Sequence, residues 1–236
     1  MVIPSSAAAS CLVDNDWVCG EYLRTRSGIL TDALVQHVWI TVVSVLLGLA
    51  LAFPLALLAR RYRRLEGIVV GTTTAIYTIP SLALFALLLP FTGLTPPTVI
   101  IGLALYSLTI LVRNIVEGLR AVPADVRESA LGMGYGRARM LFGVELPLAL
   151  PTMMAGLRVA FVSTVALTTV GSIVGYGGLG NLLLQAVDSQ FKAQVLAAGA
   201  LCVVLAVLFD VLLVGVQRLL TPWTRGRRTA RARAAA

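Results

Sequence analysis

Long apolar stretches without charged residues alternate with arginine-rich segments along the chain. Residues 33–59 hold 27 consecutive positions without Asp, Glu, Lys or Arg, enough for a helix to cross a hydrocarbon core about 30 Å thick. Residues 67–112 are charge-free over 46 positions, which is too long for one crossing, and the Pro- and Gly-containing segment 90–97 predicts a turn in their middle. The pattern predicts five transmembrane helices, near residues 32–59, 67–89, 98–112, 152–175 and 194–218.

The amino-acid composition supports a membrane protein and excludes other classes. Of the 236 residues, 58% are hydrophobic and only 13% are charged, whereas a soluble domain carries about a quarter charged residues. A disordered chain and a disulfide-stapled secreted module do not fit this composition. The net charge of +8 does not indicate a nucleic-acid partner, because the basic residues lie between the apolar runs instead of forming one patch. The predicted fold class is therefore an all-α polytopic membrane protein.

The placement of basic residues predicts the orientation in the membrane. Sixteen of the 19 basic residues lie after the first span, between the third and fourth spans, or after the fifth span. Arg158 is counted with the loop between the third and fourth spans. The other three basic residues are Arg24, Arg26 and Lys192. Because basic loops stay in the cytoplasm, the N-terminus is predicted outside and the C-terminus inside. The predicted division is an extracytoplasmic segment 1–31, a transmembrane domain 32–221 and a basic cytoplasmic tail 222–236.

The cytoplasmic segment 113–150 is far longer than the connections of about 2–8 residues that join helices in bundles. Pro123 suits the first turn of a helix. Val126, Ala130 and Met133 recur at a helical spacing and predict one narrow apolar face.

A cluster of glycines, Gly132, Gly134 and Gly136, then predicts a break in this segment. A second short helix is expected to begin near Arg137 and to stop before Pro147. Such a hairpin can fill a groove on another protein. The alternative is an amphipathic hairpin that lies on the bilayer or on the chain's own helices.

The same segment carries a spaced motif. The run Glu128-Ser-Ala-Leu-Gly-Met-Gly134, followed after nine residues by Val144-Glu-Leu-Pro147, resembles the signature of permease subunits of binding-protein-dependent ABC importers of the MetI-like type. Ser129 and Val144 are mild departures from the Ala and Ile of that signature. Four further segments are similar to the osmoprotectant branch, whose members import glycine betaine, choline, carnitine or proline betaine: residues 77–84, 113–114, 144–158 and 175–180.

The resemblance, which spans roughly residues 35–220, implies a MetI-like ABC permease fold with about five transmembrane helices and a cytoplasmic coupling-helix hairpin. It also implies that Gly134 allows a tight turn and that Glu128 orients the loop or pairs with a basic group. The alternative for Glu128 is a simple capping or i,i+4 contact with a neighbouring arginine. The residues expected at ATPase-coupling positions are Glu128, Ser129, Ala130, Gly134, Val144, Leu146 and Pro147.

The resemblance implies several partners in a bacterial cytoplasmic membrane. They are a cytoplasmic ABC ATPase dimer, an extracytoplasmic substrate-binding protein, the lipid bilayer, and a second permease copy or a paralogous permease. The chain contains no nucleotide-binding motif, so ATP and Mg are expected on the ATPase and no cofactor or enzymatic activity is expected here. No metal site and no catalytic constellation is predicted from the sequence.

Two segments are candidates for the translocation pathway or its gate. Pro80 is expected to kink the second span and to free a carbonyl that Thr78 or Ser81 helps to satisfy. The glycine-rich run 175–180 lacks the ending of a phosphate loop and is expected to break the chain near the outer mouth. Tight helix packing is the alternative for both segments. The candidates are Thr78, Pro80, Ser81, Gly175, Tyr176, Gly177, Gly178, Leu179 and Gly180.

Polar residues within or beside the spans are few. His37 and Asp210 are not favoured for transport roles, because each is expected near a membrane surface. Cys11 and Cys19 would face the oxidising side and could pair, although free thiols are the favoured interpretation.

The sequence therefore predicts the permease subunit of an ATP-driven importer for quaternary-amine osmolytes. One rival is an ABC permease for another small solute, such as an amino acid. The other is a membrane scaffold or channel without an ATPase partner.

Overall fold

The computed structural model describes residues 11–224, and those residues contain helices and no β-strand. The all-α prediction is confirmed. Part of the predicted N-terminal segment and most of the predicted basic tail lie outside the described residues. The helices are α1 (Gly20–Thr25), α2 (Ser27–Arg61), α3 (Arg63–Thr78), α4 (Ser81–Thr92), α5 (Pro96–Arg120), α6 (Ala124–Gly132), α7 (Arg137–Met140), α8 (Leu146–Thr168), α9 (Leu179–Asp188) and α10 (Lys192–Leu220).

Four helical segments in the described part of the chain are long and apolar enough to cross a membrane. They are α2, α5, α10 and the continuous stretch Arg137–Val174, which contains α7 and α8. The pair α3 and α4 is a fifth candidate if the two count as one broken span. The third span is longer than predicted, because α5 continues past residue 112 to Arg120 instead of ending at its first arginine. A helix that leaves the hydrocarbon core can carry charged residues at no desolvation cost.

The second predicted span is two helices with a sharp bend between them, not one kinked helix. α3 ends at Thr78 and α4 begins at Ser81, with Pro80 as its N-cap residue. The carbonyl of Ile79 accepts a hydrogen bond from the Tyr106 hydroxyl. The expectation that Thr78 satisfies the freed carbonyl is wrong, since its hydroxyl donates to the Ala75 carbonyl at 2.7 Å. Pro80 lacks an N–H and leaves the Ile76 carbonyl without its i+4 donor, and that carbonyl accepts from the Ile79 N–H at 3.2 Å instead.

The described residues divide into two compact units, of which the first comprises residues 11–44, 80–103 and 164–206. Its core contains Ile40, Phe85, Val99, Leu103 and Val174, each buried. Bulky side chains on α2, α4 and α5 here pack on the 3₁₀ turn Thr169–Val174, which follows α8.

The N-terminal loop of this unit is closed by a disulfide between Cys11 and Cys19. The favoured interpretation of free thiols is therefore wrong. Between the two cysteines, the Asn15 side-chain amide donates to the Gln190 carbonyl and accepts from the Lys192 backbone N–H, both at 2.9 Å. These bonds fix the loop on the turn that joins α9 to α10.

The second unit comprises residues 45–79, 104–163 and 207–224. Glycines allow close approach of its helices, because a Cβ at Gly156 would collide with Asn114 and a Cβ at Gly48 would collide with Ser107. Such contacts of small residues are how helices pack closely within a bilayer.

An ion pair within this unit accounts for Asp210, the acidic residue in the predicted fifth span. Arg158 lies within α8, so its assignment to the loop before the fourth span is wrong. Its guanidinium donates to both carboxylate oxygens of Asp210 on α10, at 2.8 and 2.9 Å. A paired charge costs far less in a membrane helix than an isolated one. Asp210 therefore neutralises Arg158.

Candidate coupling segment and glycine loop

The predicted coupling segment forms a short helix that ends in a tight turn. Pro123 is the N-cap residue of α6, one position before the predicted first turn. After α6, Gly134 adopts a φ of +79°, and the Tyr135 N–H donates to the Ala130 carbonyl at 3.1 Å. A positive φ of this size suits glycine and penalises residues that carry a Cβ. The turn at Gly134 redirects the chain into α7.

The surface of α6 differs from the predicted apolar face. Ala130 is buried and Val126 is half-buried, but Met133 is 70% exposed. The prediction of one face through Val126, Ala130 and Met133 is therefore wrong at its last member, because α6 ends at Gly132 and Met133 lies in the turn. Leu131 is 62% exposed, so two large apolar side chains at the end of α6 face outward.

The signature residues differ in their exposure to solvent. Glu128, Ser129 and Gly134 are exposed, whereas Ala130 packs inward against the rest of the unit. Within residues 11–224, no hydrogen bond or ion pair joins the side chain of Glu128 or Ser129 to a charged residue. Both side chains are exposed and therefore accessible to a partner protein. Val144, Leu146 and Pro147 are half-buried.

The second short helix does not stop before Pro147. α7 runs into a π-helical turn at Leu141–Glu145, and α8 follows directly from Leu146. Pro147 is the second residue after this turn, and the helix continues through it. The π-helical turn changes the hydrogen-bond register just before the proline, and such turns frequently occur at functional sites.

The carboxylate of Glu145 is the centre of a buried charge cluster in this region. Its side chain is 3% exposed and lies at the end of the π-helical turn. Arg60, near the end of α2, binds both carboxylate oxygens. Arg127 of α6 places its Nε atom 3.1 Å from Glu145 Oε1. Arg127 also donates from Nη2 to the Leu119 carbonyl of α5, at 2.6 Å.

Glu145 therefore connects α6 to the end of α2 and to the start of α8. Glu145 lies within the signature but was not predicted as a site residue. One signal was available: Glu145 is the only acid in the otherwise apolar stretch 140–157, and arginines stand at both 60 and 127. An acid in such a stretch needs a cationic partner.

The glycine-rich run begins in the loop 175–178, between the 3₁₀ turn and α9, and ends in the first two residues of α9. Gly178 has a φ of +57°, and a Cβ there would lie 2.6–2.7 Å from atoms of His37, including its backbone nitrogen. At Gly177 and Gly180 an added Cβ would collide with the backbone of Ser172 and Thr169. Close packing, the alternative interpretation, thus accounts for three of these glycines.

Polar side chains hold this loop in place. Asn181 donates to the Gly175 carbonyl and accepts from the Gly177 N–H, both at 3.0 Å. His37 is fully buried, and its Nε2 donates to the Val165 carbonyl at 3.0 Å. Asn181 was not selected from the sequence, although an Asn directly after a glycine-rich turn is a common source of such bonds.

Within residues 11–224, several apolar helices long enough to span a bilayer are typical of a multi-pass membrane protein. The family model for the inner membrane component of binding-protein-dependent transport systems matches residues 44–226. The chain belongs to that family, and it is a multi-pass inner membrane protein.

Similar proteins refine this result. The chain is 37% identical to the glycine betaine/carnitine/choline transport system permease protein OpuCD of Bacillus subtilis, over 86% of this chain and 89% of that protein. It is 35% identical to the osmoprotectant import permease protein OsmW of Salmonella typhimurium, over 85% of this chain and 96% of that protein. The fold matches a chain of the inward-facing MetNI methionine ABC transporter with a TM-score of 0.74 at 22% identity, covering 84% of this chain and 98% of that one.

We expect Gly178→Ala to lower the free energy of unfolding by about 2 kcal/mol, because the new Cβ meets the His37 backbone in an unfavourable φ region. Thermal unfolding of the detergent-solubilised protein measures the change. Gly199→Ala is the matched control, since its methyl group would meet no atom within 4 Å. A Gly178→Ala protein as stable as wild type would contradict the packing described here.

We expect Glu145→Ala to lower the free energy of unfolding of the second unit by about 3–5 kcal/mol, because two arginines lose their counter-charge. Hydrogen exchange should also become faster in residues 124–132. Glu117→Ala is the control: this exposed acid lies 3.4 Å from Arg120 and its loss should cost less than about 1 kcal/mol. Equal effects of the two substitutions would refute the central role of Glu145.

Proposed function

We propose that this chain is the permease subunit of an ATP-driven ABC importer for quaternary-amine osmolytes, namely glycine betaine, choline, carnitine or proline betaine. The observation that carries the proposal is an exposed α6 turn that is anchored to the rest of its unit through buried Glu145. Similarity to permeases named for glycine betaine, carnitine and choline supports the solute class.

The coupling role follows from the anchoring of α6. A cytoplasmic ATPase dimer would bind the surface that contains Glu128, Ser129, Gly134 and the exposed side chains of Leu131 and Met133. Apolar side chains at the centre of a docking site supply most of its binding energy. Arg127 pairs α6 with Glu145, and Glu145 also pairs with Arg60. A displacement of α6 by the ATPase would therefore also move the start of α8 and the end of α2. Val144, Leu146 and Pro147 would transmit this motion from the half-buried side.

The orientation of the chain is part of the proposal. The N-terminal segment 1–31 would lie outside, and the segment 113–150 and the tail 222–236 would lie in the cytoplasm, in agreement with the arginine distribution. The transmembrane permease domain 32–221 would form half of the pathway, with an identical copy or a paralogous permease as the other half. An extracytoplasmic substrate-binding protein would deliver the solute.

The glycine loop and the α3–α4 break are the proposed pathway elements. Thr78, Pro80 and Ser81 surround the break, and residues 175–180, which form the glycine loop and the first residues of α9, follow the 3₁₀ turn. Broken helices commonly line solute pathways, because their freed backbone groups are tolerated where water or protein satisfies them. Tyr176 and Leu179 would move with the loop during gating.

The amino-acid permease rival has support only at the level of the fold. A chain from a crystal structure of an amino acid ABC transporter with histidines has a TM-score of 0.71 at 19% identity, covering 85% of this chain and 98% of that one. Uptake by a strain without its own osmolyte importers separates the rivals. When this permease is expressed with its ATPase and binding protein, labelled glycine betaine, choline or carnitine should accumulate and labelled amino acids should not.

Gly134→Asp and Glu128→Arg are each expected to abolish co-purification of the ATPase and to reduce osmolyte uptake at least about tenfold. The first blocks the turn and the second reverses a charge on the docking surface. The controls are Gly20→Asp and Asp14→Arg, which introduce an aspartate for a glycine and an arginine for an acid at exposed positions on the other proposed side. Retention of the ATPase by both test variants would contradict the coupling role.

A further inference from the structure

A cavity of about 730 Å³ lies beside the end of α2. Its lining residues come from two elements, the end of α2 with Tyr62 and the α7 segment with its π-helical turn. Both elements belong to the second unit. The cavity shares Arg60 and Glu145 with the buried charge cluster but extends away from it.

Positive charge dominates this cavity. Arg60, Arg61 and Arg137 line it, against a single acid, Glu145. The Glu145 carboxylate is already bound by Arg60 and by Arg127 from behind. Arg61 and Arg137 are exposed and have no ion-pair partner among residues 11–224; the Arg61 guanidinium lies 5.4 Å from the centre of the Tyr62 ring. Two guanidinium groups are therefore available for an anion.

The remaining walls are apolar. Leu57 and Leu141 are half-buried, and Phe142, which lies within the π-helical turn, is 62% exposed. Tyr62 is 48% exposed directly after the long apolar helix α2, where aromatic side chains favour the headgroup level. A charged rim beside an exposed apolar wall matches a molecule with a phosphate at one end and acyl chains at the other.

We propose that this cavity binds the headgroup of an anionic phospholipid, with the phosphate between Arg61 and Arg137 and an acyl chain along Leu141 and Phe142. Basic pockets between membrane helices on the cytoplasmic side bind such headgroups. Guanidinium groups bind phosphate oxygens in a bidentate manner, which favours arginine at both positions. The apolar wall favours a lipid over free phosphate, because a free ion would leave Phe142 uncovered.

The test uses the purified full chain in neutral detergent, without ATPase or solute, so that its failure is separate from a failure of the proposed transport function. Thermal unfolding is followed while phosphatidylglycerol, phosphatidylcholine with the same acyl chains, or glycerol phosphate is titrated. Only phosphatidylglycerol should raise the melting temperature in a saturable manner. A photoreactive phosphatidylglycerol should label the peptide that contains residues 137–142.

Variants locate the site. Each arginine near an anionic headgroup contributes about a fivefold gain in affinity, so R61Q/R137Q should bind phosphatidylglycerol about 25-fold more weakly. R61K/R137K keeps the charge but cannot bind the phosphate in a bidentate manner, so it should bind phosphatidylglycerol more tightly than R61Q/R137Q and more weakly than wild type. R24Q/R26Q removes the same charge from exposed positions outside the cavity and should bind as wild type.

Four results would overturn the proposal. They are equal stabilisation by phosphatidylcholine, equal stabilisation by glycerol phosphate, an equal loss of binding in R24Q/R26Q, and undiminished binding and labelling in R61Q/R137Q. The first two would assign the effect to general lipid solvation or to a free-phosphate site. The last two would assign it to net charge or to another surface.

Discussion

The carboxylate of Glu145 is buried between guanidinium groups from two other elements, and the position of α6 depends on it. Arg60 fixes the end of α2, Arg127 fixes α6, and the acid itself ends the π-helical turn before α8. A charge that is buried this deeply requires its partners, because one uncompensated ion in a low-dielectric site costs several kcal/mol. The short helix α6, which would be marginal by itself at nine residues, is therefore held as part of a rigid assembly.

The glycine loop of the first unit is held by a different kind of constraint. Backbone atoms of Ser172, Thr169 and His37 occupy the space that side chains at the glycines would need, and Asn181 bonds the loop to itself. Steric fit thus fixes this loop, whereas charge pairing fixes α6. A loop that is defined by backbone contacts can move between discrete arrangements without breaking ion pairs, which is compatible with the gating role that we propose for it.

The sequence predicted the elements that depend on local patterns and missed those that depend on partners distant in the chain. The apolar runs indicated five spans, and the signature located the turn at Gly134, since hydropathy and glycine positions are local signals. The pairing of Arg158 with Asp210, the contact of Tyr106 with the Ile79 carbonyl and the role of Glu145 were not predicted, because each joins residues at least 18 positions apart. Continuation of the helix through Pro147 was missed because a π-helical turn has no simple sequence pattern.

The central claim is that α6 faces the cytoplasm and is covered there by the ATPase. Ser129→Cys in a Cys202→Ser background tests it directly, because Ser129 is exposed and Cys11 and Cys19 are joined in a disulfide. A membrane-impermeant maleimide should leave this cysteine unlabelled in intact cells, label it in inside-out vesicles, and label it more slowly once the ATPase is bound. Labelling in intact cells would contradict the account.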